Sequence, residues 1–145
     1  MSTTSRTVSA TPGQVWSVLA DGWLYPLFVV GASRIRDVDA AWPAVGSRLH
    51  HSVGTWPLLI DDNTEVLEVE EDRRIVLKAR GWPMGEARVD ISLQPSGTGT
   101  VVTIVENVTA GPGVLVPKPI QDAQLHLRNT ETLLRLAFVA EGRAR

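Results

Sequence analysis

The sequence predicts an α+β fold in which helices cover one face of an antiparallel sheet. Apolar and polar residues alternate strictly from Ala87 to Leu93, which is typical of a strand with one buried face. Several segments of this kind follow one another with only short turns between them. A long apolar-patterned segment at residues 119–142 then indicates a C-terminal helix of about 35 Å, at 1.5 Å per residue.

The first elements are a short strand at residues 4–10 and two short helices. Thr11 is a favourable N-cap, Pro12 suits the first helical turn, and Gln14 completes a capping box. We therefore expect a helix from this point to about residue 21. A second short helical segment, WLYPLFVV, is interrupted by Pro26.

About six strands occupy the centre of the chain. Their expected positions are 31–37, 48–53, 64–70, 75–80, 87–93 and 98–107. Alternation fails where Val66 adjoins Leu67, so we expect a β-bulge there. Short turns such as Pro95-Ser96-Gly97 predict an antiparallel meander.

The C-terminal region combines a flexible segment with the long helix. Residues 110–119, AGPGVLVPKP, contain two glycines and three prolines, which disfavours both strand and helix and suggests a moving entrance to a cavity. We expect the second half of the helix, LLRLAFVA, to be the more deeply buried half. The apolar stripe expected to face the sheet consists of Ile120, Ala123, Leu127, Leu134 and Phe138.

Composition limits the classes of function. A length of 145 residues indicates one domain, residues 1–145, and the net charge of -2 argues against nucleic acid as a partner. The absence of cysteine excludes disulfides and thiolate zinc sites. The sequence shows no signal-peptide pattern and no apolar run of about 20 residues, so we expect a cytoplasmic protein without integral membrane association.

Five segments together resemble a known superfamily. They are TPGQVWSVLAD, WPAVGSRLHH, TEVLEVEEDRRIVLKAR, GTVVTIVEN and RNTETLLRL. In order and spacing they resemble the START/Bet v 1-like (SRPBCC) superfamily, in its polyketide cyclase/dehydrase and lipid-transport-like branch. The resemblance implies a helix-grip fold, in which a bent sheet of about seven strands wraps around the C-terminal helix. It also implies an apolar cavity, since members bind lipids, sterols, polyketides or hormones and some catalyse cyclisation or dehydration.

The histidine doublet at 50 and 51 is not a metal motif, because adjacent strand residues point to opposite faces. We expect no metal and no cofactor. Leu49, His51 and Val53 share the face that we expect to point inward. His51 is then either a partnered core histidine or a ligand contact.

Glu106 and Arg128 are the charged candidates for the cavity. Both faces of the strand TVVTIVEN are apolar, so Glu106 is either a carboxylate inside the cavity or an exposed residue at a strand end. Arg128 lies on the flank of the expected helix stripe and is available as a partner for Glu106. It could equally lie on a solvated face beside the i,i+4 pair of Glu131 and Arg135.

Apolar ligand contacts are expected from both helix and turns. Ala123 and Leu127 are the expected helix contacts, and Trp23 and Trp82 lie near the predicted ends of the cavity. The sheet wall expected to face them consists of Leu49, Val53, Ile75, Leu77, Ala79, Val89, Ile91 and Leu93.

These observations predict a protein that binds a hydrophobic or amphipathic small molecule, lipid-like or polyketide-like, in an internal cavity. The alternative is a polyketide aromatase/cyclase- or dehydrase-type enzyme that uses the same groups as acid and base. A regulatory module with a protein partner is a third possibility, and no residue pattern identifies such a partner.

Overall fold

The computed structural model describes residues 1–30, 32–53, 60–83 and 85–144, in seven strands and three α-helices. The strands are β1 (Ser2–Val8), β2 (Ala32–Val38), β3 (Arg48–Val53), β4 (Ile60–Glu70), β5 (Arg74–Gly81), β6 (Gly85–Ser96) and β7 (Gly99–Ala110). The helices are α1 (Pro12–Leu19), α2 (Tyr25–Phe28) and α3 (Lys118–Arg143). Short 3-10 turns at Gly22–Leu24 and Pro112–Leu115 precede α2 and α3.

The strands form one antiparallel sheet in the order β1-β7-β6-β5-β4-β3-β2. Strands β2 to β7 are a meander, and β1 joins its end beside β7. This confirms the predicted fold: a seven-stranded antiparallel sheet, two short helices after the first strand and a long C-terminal helix.

Local sequence signals place several elements correctly. The side chain of Thr11 accepts a hydrogen bond from the backbone N–H of Gln14, and the Gln14 side chain accepts one from Thr11, so the predicted capping box is present. The pairing of β4 with β5 shifts register between Val66 and Glu68, which confirms the predicted bulge. Residues 110–119 are less irregular than expected, since they include a 3-10 turn stabilised by a hydrogen bond from the Gln121 side chain to the carbonyl of Gly113.

Helix α3 runs along β1 for the full length of that strand. A hydrogen bond of 2.9 Å joins Thr4 to His126, and the backbone N–H of Ser9 donates to Glu141 at 3.1 Å. Contacts at both ends of β1 therefore fix the direction of α3. The main core lies where the C-terminal half of α3 meets the sheet and α1, with Leu133, Leu136, Ala137 and Ala140 fully buried.

Candidate functional site

Glu106 lies on the concave, inward face of β7. Along this strand Val102, Ile104 and Glu106 are buried, and Glu106 is only 4% exposed, whereas the alternate residues remain partly exposed. Both faces of β7 are apolar in sequence, so the choice between them came from packing. The inward interpretation of Glu106 is correct.

Two side chains of α3 hold the Glu106 carboxylate. The guanidinium of Arg128 donates to Oε2, and the side-chain amide of Asn129 donates to Oε1 at 3.1 Å. A buried carboxylate is costly unless a cation and donors satisfy it, and these two residues do so. The Arg128 side chain is 43% exposed while that of Glu106 is 5% exposed, so the pair connects a buried charge to the molecular surface.

The sheet beside Glu106 changes from large to small residues along its length. In one row across the sheet, Ile104, Ile91 and Ile75 are neighbours and are closed to solvent. The inward row that begins two residues after Glu106 on β7 consists of Val108, Ala87 on β6 and Ala79 on β5. All three are half-buried although they lie on inner strands. The concave face is therefore open on this side of the ion pair.

His51 lies further along the same open side, on β3. A hydrogen bond of 2.9 Å joins its Nε2 to the hydroxyl of Thr64, while its buried Nδ1 has no partner among the described residues. Burial lowers the pKa of His51 below its usual 6.5, and the nearby Asp62 carboxylate opposes part of that shift. His51 is thus a buried, mostly neutral imidazole at pH 7 that is held by Thr64 and lies beside the Asn63 backbone.

Glu106 and His51 lie on strands that are not neighbours in the sheet. Strands β6, β5 and β4 lie between β7 and β3, so at about 4.8 Å per strand the two side chains are separated by roughly 19 Å along the sheet. They are two separate polar groups at opposite sides of a small-residue surface.

The tryptophan candidates lie on the surface. Trp82, in the turn after β5, is exposed; its backbone N–H donates to Asp62 at 2.9 Å and its indole N–H to Glu86 at 3.0 Å. Since Asp62 pairs with His51 across β3 and β4, Trp82 lies at the rim of the open side. Trp23 is exposed in the first 3-10 turn.

Leu49 is buried in the core rather than at an open surface. It packs against the first 3-10 turn so closely that a Cβ added to Gly22 would lie 2.3 Å from its Cδ2 atom, and this explains the glycine at that position. The backbone of Val53 pairs with Ile60 at the end of β3, and its side chain lies outside the described residues.

The predicted sheet-facing stripe of α3 is wrong. Ala123 and Leu127 are exposed on the outer face of α3, as are Ile120 and Phe138. The face that meets the sheet carries Gln121, Leu125, Asn129, Thr132, Leu133, Leu136, Ala137 and Ala140. Helix α3 has two apolar faces, and the inner one also carries the polar side chains of Gln121, Asn129 and Thr132.

Asn129 and Thr64 are site residues outside the predicted set of ligand contacts. Asn129 follows Leu125 and precedes Leu133 at four-residue spacing, so extending the phase of the buried C-terminal half backwards would have found it. Thr64 carried no such signal, because its role depends on cross-strand packing against His51.

A groove on the sheet surface is lined by charged residues that pair with one another. This groove of about 330 Å³ lies between β4, β5, β6 and the end of β7, with Lys78, Glu86 and Arg88 in its wall. Lys78 pairs with Glu86 at 3.5 Å and Arg88 with Glu68 at 3.3 Å, so these charges satisfy one another.

Within the described ranges, no three His, Asp or Glu side chains come together as a metal site would require. No described helix is both long and apolar enough to cross a membrane.

The family assignment rests on nearly the whole chain. Residues 2–141 match the family described as polyketide cyclase/dehydrase and lipid transport. The chain belongs to this family. No curated protein matches the sequence.

Solved structures share the fold at low sequence identity. Protein NE0264 from Nitrosomonas europaea is 19% identical, with a TM-score of 0.74 over 97% of this chain and 93% of its own. Ara h 8.0201 is 12% identical, with a TM-score of 0.73 over 97% of this chain and 96% of its own. DynU16, a putative protein in the dynemicin biosynthetic locus, is 20% identical with a TM-score of 0.62; the match covers 97% of this chain and 46% of DynU16. These likenesses establish the Bet v 1-like helix-grip fold of this family member.

Proposed function

We propose that this family member binds a hydrophobic or amphipathic small molecule, lipid-like or polyketide-like, between the concave face of the sheet and the N-terminal half of α3. The observation that carries the proposal is the buried Glu106 carboxylate, held by Arg128 and Asn129 beside a wall of small, half-buried residues. A polar anchor next to an apolar, incompletely filled surface is the usual composition of a small-molecule site.

The apolar wall would supply most of the affinity. Covering ~300 Å² of apolar ligand surface at about 25 cal/mol per Å² contributes ~7 kcal/mol before the costs of association. Those costs leave a dissociation constant near the micromolar range. The polar groups orient the ligand rather than drive its binding.

The two polar groups favour an elongated ligand. Arg128 presents a partly exposed cation beside Glu106, and His51 is a polar group on β3, roughly 19 Å from Glu106 along the sheet. Trp82 lies at the rim beside Asp62 and can cover the ligand there. General acid–base catalysis at one reacting atom needs convergent groups, and this spacing favours binding over a shared acid–base pair.

A matched pair of substitutions tests the proposal. Ala87→Phe places a large side chain on the concave face, whereas Ala123→Phe places the same group on the outer face of α3. With 1-anilinonaphthalene-8-sulfonate as the probe, we expect Ala87→Phe to abolish the fluorescence increase and Ala123→Phe to retain it. The reverse result, or no saturable probe binding by the unaltered protein, would refute a concave binding site. Native mass spectrometry of the purified protein would then identify any ligand that copurifies.

A further inference from the structure

Helix α3 presents a second apolar face to solvent. Leu127 is 73% exposed, Phe138 66% and Ile120 53%, although all three lie on a helix that packs well on its opposite side. A row of large exposed apolar residues on one element marks an interaction surface more often than isolated exposed residues do. We call this surface the outer stripe; it consists of the exposed residues Ile120, Ala123, Leu127, Thr130 and Phe138 and the half-buried Leu134.

The outer stripe has the spacing of a helix–helix seam. Ile120, Leu127 and Leu134 recur every seven residues, and Ala123 and Thr130 follow the first two of them by three. This is the a/d pattern of a heptad repeat, with large residues at a and small ones at d. The residues that meet the sheet lie on the opposite side of the helix, so the pattern does not arise from packing within the domain.

We propose that the outer stripe pairs with the same stripe of a second copy of this chain. The two helices would be antiparallel, and the twofold axis would cross them on their outer side, at the level midway between positions 128 and 129. Under that single axis Leu127 meets Thr130 of the second copy, and Leu134 meets Ala123. Each layer then combines one large and one small side chain, which permits close packing. Parallel helices would instead stack leucine on leucine and alanine on alanine, which alternates crowded layers with empty ones.

The area suits a weak but specific dimer. The exposed fractions of Ile120, Leu127 and Phe138 correspond to roughly 400 Å² of apolar surface per copy, within the size range of functional apolar patches. Two copies with their polar flanks then bury about 1,000–1,200 Å², just below the range of stable interfaces and in the range of weak, transient ones. The hydroxyl of Thr130 already donates to the carbonyl of His126, so covering it leaves no unsatisfied donor.

Sedimentation of the unaltered protein tests the dimer directly. Between micromolar and millimolar concentrations, the mass should rise from the 15.8 kDa of one chain to twice that value. Leu127→Glu should keep the mass at one chain throughout. The control Val45→Glu places the same charge on another exposed apolar residue, in the loop between β2 and β3, and should dimerise normally. A constant single-chain mass for the unaltered protein would overturn the proposal.

Single cysteines test the antiparallel arrangement, since the chain has none of its own. Under the proposed axis, two copies of Thr130→Cys lie about 4–5 Å apart along the helix direction and two copies of Ala123→Cys about 16 Å apart. Mild oxidation should therefore cross-link Thr130→Cys and leave Ala123→Cys as single chains. Cross-linking of both would indicate parallel helices, and cross-linking of neither would exclude this register; either result would overturn the proposed pairing.

Discussion

The two halves of α3 differ in what they bury. The C-terminal half packs Leu133, Leu136 and Ala140 against α1 and the sheet, and these side chains are closed to solvent. The N-terminal half faces the sheet with Gln121, Leu125 and Asn129, across from small residues that remain partly accessible. The C-terminal half of α3 thus packs on a solid core, and its N-terminal half covers an open, more polar part of the sheet.

The difference indicates a division between stability and binding. Dense apolar packing at the C-terminal half contributes most of the stability of this helix. The N-terminal half carries a buried ion pair, which stabilises a fold weakly compared with an apolar core but fixes where a charge is presented. The substitutions below break or sharpen this comparison, beginning with the largest expected effect.

Leu136→Ala should lower the free energy of unfolding by about 2–5 kcal/mol, because it opens a space in the solid core. Leu125→Ala removes the same group from the open half, where neighbours and solvent can relax around it, and should cost less. Urea denaturation of both variants measures the difference. Equal losses would mean that the two halves are packed alike.

Arg128→Ala should lower the free energy of unfolding by about 1–3 kcal/mol, since it leaves the Glu106 carboxylate buried with only Asn129 as a partner. Arg135→Ala is a matched control: its side chain is also 43% exposed, but its partner Glu131 is 46% exposed where Glu106 is 5% exposed. An exposed pair of this kind contributes at most about 0.5 kcal/mol. Arg128→Ala should also weaken probe binding, and Arg135→Ala should leave it unchanged.

Acid should destabilise the protein through His51. Because burial lowers the pKa of His51 in the folded state, the unfolded chain binds a proton first as the pH falls below the ordinary value of 6.5. Stability from this group is thus complete above pH 6.5 and declines below it, by at most about 1.4 kcal/mol per pH unit for one proton. Unfolding measured from pH 8 to pH 5 should show a smaller decline for His51→Gln, and identical pH profiles would remove His51 as the cause.

Leu127→Ala should change the free energy of unfolding by no more than about 0.5 kcal/mol in dilute protein, because Leu127 is exposed and does not pack in the core of the domain. Thermal melts at low concentration measure this small effect. A loss of several kcal/mol would place Leu127 against the sheet after all and reverse the assignment of the two faces of α3.

Much of the fold followed from local sequence signals. The alternation in β6, the capping box at Thr11 and the bulge at Val66 each depend on residues close together in the chain, and all three are present. The inward position of His51 was also predictable, because its neighbour Leu49 identifies the buried face of β3. Short-range periodicity determines which residues share a face.

Periodicity alone did not determine which of two similar faces is buried. Both faces of β7 are apolar, and α3 has an apolar stripe on each side, so Glu106 and Leu127 could each have pointed inward or outward. Tertiary structure decided both, because the buried carboxylate of Glu106 needs Arg128 and Asn129. Turning those two residues toward the sheet places Leu127 in solvent. The same face of α3 carries Leu133, Leu136, Ala137 and Ala140, so burying the core and satisfying Glu106 require the same rotation of the helix.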